Sequence, residues 1–168
     1  MNWRKNMDKF HLPDIWSLII SLFVCQLAGI IGSIFTTPAI TTWYASLKKP
    51  SFSPPNWLFG PVWITLFVLM GISLFLVWRK GSDTPFVRNG LILFGIQLLF
   101  NVLWSVAFFG LKSPISGLVV IVILWITILL TILQFSKVSE LATALLIPYI
   151  VWVSFAAVLN LSLYLINR

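Results

Sequence analysis

Charge is what this sequence has least of. Only 9% of its 168 residues are Asp, Glu, Lys or Arg, against a hydrophobic share of 60%, whereas soluble domains average about 25% charged. Water is excluded as the solvent for most of the chain. No apolar block needs a formal charge at its middle, which argues against proton-coupled pumps and voltage sensors, whose mechanisms use ionisable groups inside the membrane. A single cysteine, Cys25, rules out an intrachain disulfide and leaves no zinc spacing. The net charge of +7 comes from basic residues scattered over short connections, not from a stripe beside stacking aromatics, so nucleic acid is not the expected partner.

What is present is a series of apolar blocks of about 20 residues, the length at which a helix rising about 1.5 Å per residue crosses a bilayer core. The spacing predicts an all-α, five-transmembrane-helix bundle in a single domain over residues 1–168. The first span covers about 15–35, behind a basic leader (residues 1–14) that has no signal-peptide cleavage pattern and is read as retained. The others cover about 57–78, 90–109, 114–135 and 140–166. Ser113 and Pro114 form an N-cap and first-turn pair, and Glu140 suits the positive end of the last helix.

Sorting basic residues by side orients the chain. Arg4, Lys5, Lys9, Arg79, Lys80, Arg88 and Lys137 fall on one side, and Lys48, Lys49, Lys112 and Arg168 on the other, so the N-terminus is expected in the cytoplasm and the C-terminus outside. Trp3, Trp16, Trp57 and Trp78 lie near span ends and read as interfacial anchors. Trp125 has no assigned role. Small residues at Ser17, Ser21, Cys25, Gly29 and Ser33 let another backbone approach the first helix. This stripe reads either as packing inside the bundle or as a homodimer seam.

The connection over 36–56 holds Pro38, Pro50, Pro54 and Pro55, which bar a long helix, and Trp43, Tyr44, Leu47 and Phe52, which disfavour open water. It is expected to form a lid on the bundle mouth. On the third span, Gln97, Asn101, Trp104, Ser105 and Phe108 share one face, and amides facing lipid would lack partners, so that face should turn inward. On the fifth, Tyr149, Trp152, Ala156 and Asn160 lie together beside Pro148, which removes one helical hydrogen bond and favours a bend. Trp63 and Phe67 stack at i, i+4 on the second.

These residues also carry a resemblance. Trp43-Tyr44, Leu47, Lys49-Pro50 and Pro54-Pro55 fit the pattern W-Y-x-x-L-x-K-P-x-x-x-P-P of the TspO/MBR family. Asn101, Trp104-Ser105 and Phe108-Phe109 fit N-x-x-W-S-x-x-F-F, and the run from Leu145 to Asn160 fits L-L-x-P-Y-x-x-W-x-x-F-A-x-x-L-N. The sequence therefore resembles that family over nearly everything after Ile34. The resemblance implies a pocket for protoporphyrin, haem-related tetrapyrroles and benzodiazepine-type ligands, lined by Trp43, Tyr44, Trp63, Phe67, Asn101, Trp104, Tyr149, Trp152 and Ala156, in a receptor or sensor, with transport of these ligands or regulation of tetrapyrrole and stress responses as a further role. No cofactor is obligatory and no metal site is expected: the single histidine, His11, lies in the leader, so porphyrin or haem enters as ligand and binding should not depend on iron.

An alternative implied by the same resemblance is light- and oxygen-dependent porphyrin breakdown at Trp63 and Trp152. A third is sterol or lipid handling: Leu161, Tyr164 and Arg168 fit a permissive cholesterol pattern, but Leu161 stands where the mitochondrial sterol motif has tyrosine. The short leader favours a prokaryotic cell membrane, with membrane lipid as the surrounding partner.

Overall fold

The computed structural model describes residues 12–81 and 83–168. The expectations placed on Trp3, Arg4, Lys5, Lys9 and His11 lie outside those residues. The described chain is all-helical: α1 (Leu12–Ile40), a short α2 (Trp43–Ser46), α3 (Asn56–Trp78), α4 (Pro85–Ser105) running into a π-helical turn (Val106–Gly110), α5 (Pro114–Phe135) and α6 (Glu140–Asn167). Five of these are long and apolar enough to cross a membrane, as the block lengths require.

Two boundaries differ from the sequence reading by five residues. α1 continues five residues past the expected end, through Pro38. Proline costs a helix one hydrogen bond and a clash with the preceding turn. Here Pro38 is exposed on the last turn, and the Thr42 hydroxyl caps its carbonyl at 2.7 Å. The lid therefore begins at Thr41. α4 starts five residues earlier than the apolar block, because Thr84 accepts from the Val87 N–H at 3.4 Å with Pro85 at the first helical position. The same device opens α5, where the Ser113 hydroxyl accepts from the Ser116 N–H at 3.3 Å, and Ser139 caps α6 through the Ala142 N–H at 3.2 Å.

Packing closes the long helices into a ring in the order α1, α3, α6, α5, α4. Lipid tails are as apolar as leucine, so hydrophobicity alone does not drive helices together. Close van der Waals approach and interhelical hydrogen bonds do. At Gly71 a methyl group would lie 2.9 Å from Leu22 Cα, so glycine lets α3 and α1 meet backbone to backbone. Ser73 ties α3 to α6 by donating to the Ala142 carbonyl at 2.7 Å. The Trp125 indole ties α5 to α6 by donating to Ser154 Oγ at 2.8 Å, which gives that tryptophan a structural role.

The small-residue stripe of α1 divides. Ser21 and Cys25 are fully buried, and a methyl group on Gly29 would touch the Phe67 ring at 2.6 Å, so these residues serve packing inside the bundle. Ser33 is exposed. Trp16, Trp57 and Trp78 project outward near helix ends. At one end of the bundle Asp14 pairs with Arg79 at 3.6 Å; the lid and the end of α6 share the other.

Gly71→Val tests the α1–α3 contact. Overpacking of this kind costs about 1–3 kcal/mol, so the variant should unfold at a visibly lower temperature in detergent micelles. An unchanged melting temperature would show that the two backbones are not held together there.

Candidate ligand-binding site

Between α1, α3 and α4 lies a cavity of about 320 Å³. Its existence follows from side-chain size. α1 contributes Ala28, Gly29 and Gly32, which leave room, and α3 and α4 contribute Phe67, Trp63 and Trp104, which form broad walls. The Trp63 ring stands 5.7 Å from Phe67 and 6.2 Å from Trp104, tilted by about 30° to each. The polar groups are neutral: Gln26, Ser33, Thr36, Thr37, Asn101 and Ser105. Among the described residues no Asp, Glu, Lys, Arg or His lines it, so these residues offer aromatic faces and a few hydrogen bonds but no proton-transfer pair.

The cavity opens sideways. Ile30, Ser33, Thr37, Gly60 and Ile64 line it and are also exposed, so its rim is the outer seam between α1 and α3. Gln26 bridges that seam by donating to the Ile64 carbonyl at 3.3 Å. A second void of about 20 Å³ adjoins, lined by Tyr44, Ala156, Leu159 and Asn160 among others. Ile40, Phe59, Trp104 and Phe109 line both spaces and so form the partition between them.

Of the nine residues singled out from the sequence, Trp63, Phe67, Asn101 and Trp104 share the main cavity. Tyr44 and Ala156 line only the smaller void. Trp43, Tyr149 and Trp152 line neither. Trp43 packs edge-on against Phe108 at 5.4 Å, and Trp152 stands behind Phe59 at 6.1 Å, its buried Nε1 without a partner. The residues of α1, together with Phe59 and Phe109, were missed. Gly29, Gly32 and Ser33 were a usable signal, because consecutive small side chains leave space as readily as they permit contact.

Tyr149 acts from behind the wall. Fully buried, its hydroxyl accepts from Asn101 Nδ2 at 2.9 Å and donates to Gln97 Oε1 at 2.9 Å, fixing the amide that faces the cavity. Lower on α6, Asn160 accepts from the Trp104 indole at 3.3 Å and donates to the Pro114 carbonyl at 2.7 Å, which holds the second aromatic wall in place. The sequence places Asn160 on the same face of this helix as Tyr149 and Ala156; its role is to orient Trp104.

The lid closes one end. Tyr44 is buried against Phe59, Phe108 and Phe109, and Lys49 Nζ lies 4.4 Å from its ring centre, an arrangement favoured by the ring quadrupole. Burial pushes the Tyr44 phenol above its ordinary range, with Ser53 offsetting part of the shift. Phe52 leans on Phe155 at 6.3 Å.

The sequence that builds these spans, lid and cavity has relatives among known proteins. The model of the TspO/MBR family matches residues 21–165. The chain belongs to the TspO/MBR family. The "Tryptophan-rich protein TspO" of Chlorobaculum tepidum is 46% identical over 154 residues, covering 92% of this chain and 98% of that one. The human "Translocator protein" is 38% identical over 136 residues, 80% of each chain. The "Tryptophan-rich sensory protein" of Cereibacter sphaeroides is 32% identical over 151 residues, 88% of this chain and 92% of that one. The TspO/MBR match includes most of α1, where the sequence motifs above begin only after Ile34.

Tyr149→Phe removes the hydroxyl and leaves Gln97 and Asn101 buried without their shared partner. A stranded buried polar group costs about 1–3 kcal/mol, so thermal stability should fall while helix content stays unchanged. Stability equal to the parent protein would mean that the two amides do not depend on Tyr149.

Proposed function

We propose that this TspO/MBR protein is a membrane receptor and sensor for flat hydrophobic ligands, tetrapyrroles such as protoporphyrin and benzodiazepine-type compounds, with transport of the bound ligand as a further role. The observation that supports this most is the pairing of Trp63 and Trp104 across one wall of a neutral, mostly apolar cavity. Aromatic faces attract a planar π-system in offset or edge geometries, and a few fixed polar groups in an apolar cavity set orientation. Asn101 is the polar group best held for that task. At about 320 Å³ the main cavity is at the small end of ligand pockets, which run from about 300 to 1,000 Å³. A compact bicyclic ligand suits it as it stands. A whole tetrapyrrole requires the partition of Phe59, Trp104 and Phe109 to rotate, joining the smaller void beside Ala156.

The sideways rim suits ligands that partition into lipid. The excess of basic residues at the α1 start, the α3–α4 connection and the α5–α6 connection supports a cytoplasmic N-terminus. We propose a prokaryotic cell membrane as its location, a reading that the 46% identity to the Chlorobaculum tepidum protein supports. A second reading, light- and oxygen-dependent porphyrin breakdown, draws on Trp63 alone among the cavity tryptophans expected to react, since Trp152 stands behind Phe59. With no acid–base pair in the lining, such chemistry would have to start from the photoexcited ligand.

Titrating purified protein with protoporphyrin while following tryptophan fluorescence tests the proposal. Saturable quenching is expected, with Trp63→Ala, Trp104→Ala and Asn101→Ala each raising Kd about ten-fold, a loss of about 1.4 kcal/mol. Haem should bind comparably, because the site supplies no histidine. Absence of saturable quenching would refute the receptor reading, and an absolute requirement for iron would refute metal-independent binding. Illuminating the complex in air decides between the readings: stable porphyrin absorbance is expected of a receptor, and bleaching lost in Trp63→Phe would favour an enzyme.

A further inference from the structure

Apart from the packing of its aromatic rings, the lid is fastened at one point. Its backbone hydrogen bonds are local: Thr42 to Ala39, Ser46 to Thr42, Ser53 to Pro50 and Leu58 to Pro55. Among the described residues, the hydrogen bonds that tie it to a distant element both end on Asn167, at the C-terminal end of α6. The Lys48 N–H donates to Asn167 Oδ1 at 2.9 Å, and Asn167 Nδ2 donates to the Lys48 carbonyl at 2.9 Å. The second hydrogen of Nδ2 goes to the Leu163 carbonyl at 2.9 Å. Every hydrogen of the amide is used, so its orientation is set by its surroundings.

We propose that Asn167 is the clasp of the lid, a positioning residue that pairs with the backbone of Lys48 as a neighbouring strand would and thereby holds Tyr44 over the smaller void. The side chain of residue 48 takes no part. The oxygen and one N–H of a primary amide form a donor–acceptor pair that matches a peptide group, so it reads chain geometry, not side-chain identity. Four residues before Lys48, Tyr44 fills the space between Phe59, Phe108 and Phe109. Those rings belong to the partition and to the π-turn. Releasing Lys48 frees the segment that keeps this end of the ligand chamber shut, 119 residues away in sequence from the group that holds it. The geometry stands apart from the identity of the ligand.

Hydrogen–deuterium exchange on the full-length protein in detergent or nanodiscs tests the clasp without ligand. In Asn167→Ala, amides from Trp43 to Ser53 should exchange about thirty-fold faster, the factor that two ordinary hydrogen bonds supply, while α3, α4 and α5 stay protected. Lys48→Ala should behave as the parent protein. Lys48→Pro removes the donor without altering α6, and Leu47 is already extended (φ −70°, ψ 142°), as a residue before proline must be. This variant should speed exchange less than Asn167→Ala and provides the test if Asn167→Ala fails to fold. Unchanged lid exchange in both variants, faster exchange throughout the bundle, or a Lys48→Ala effect equal to that of Asn167→Ala would each overturn the proposal. Stopped-flow release of protoporphyrin adds a second readout: release should quicken in Asn167→Ala and not in Lys48→Ala, and an unchanged rate would show that the lid end is not an exit. If the parent protein binds no protoporphyrin, the receptor reading fails while the exchange comparison still decides the clasp.

Discussion

Hydrocarbon offers no partner to a polar group, and in this bundle that constraint determines what stands in the middle. α4 and α6 are not neighbours in the ring, yet α4 carries Gln97, Asn101 and the Trp104 indole on its inner face, and α6 carries Tyr149 and Asn160. Long side chains bridge the gap at two levels. The Tyr149 hydroxyl serves both amides of α4, and Asn160 serves Trp104 and the first carbonyl of α5. Each bond satisfies a group that lipid would leave stranded, and each fixes the rotation of α4 about its axis. Once that rotation is set, Trp104 and Asn101 must present their remaining surfaces toward α1. The cavity is what remains where α1, having mostly small residues on its inner face, does not fill the space.

A small residue is ambiguous in sequence for this physical reason. Gly29 lies against Phe67 and Gly71 lies against Leu22, so both permit contact. Gly29 also lines the cavity, as do Ser33 and Gly32, although a methyl group on Gly32 would lie 3.0 Å from Ser105 Oγ. Only the neighbour across the interface distinguishes the two uses, and periodicity within one helix does not contain it. Caps are legible where the apolar block starts at the cap, as at Ser113-Pro114. Thr84-Pro85 is the same signal, hidden because Arg88 and Asn89 separate it from the apolar run. The five spans, the inward face of α4 and the aromatic pair Trp63–Phe67 were readable because each rests on length or helical period alone.

Trp152 shows the limit of a period argument. Tyr149, Ala156 and Asn160 fall within about 40° of one another around α6, given about 3.6 residues per turn. Trp152 lies about 60° from Tyr149 on the same reckoning, enough to turn its indole past the cavity and onto Phe59. A helical face broad enough to include all four residues is broad enough to address two different neighbours. On the lid, Trp43 and Tyr44 are successive residues, about 100° apart, and they too address different neighbours: one rests on Phe108 and the other enters the groove between Phe59 and Phe109.

The π-turn explains how Phe108 and Phe109 can both face inward. Successive residues of an α-helix diverge by about 100°, so two adjacent phenylalanines ordinarily cannot share one buried surface. Over Val106–Gly110 the backbone widens, with the Leu111 N–H reaching the Val106 carbonyl at 2.8 Å and the Ser113 N–H reaching Phe108 at 3.2 Å. Both rings are then buried, 4.8 Å apart and nearly perpendicular. Phe108 stacks on Trp104 and supports Trp43, while Phe109 closes the partition between the two voids. Single π-turns are rare and concentrate at functional positions. Here the turn lets one short stretch hold both the lid above it and the cavity wall beside it, so a movement of the lid is felt at the wall through two rings in direct contact.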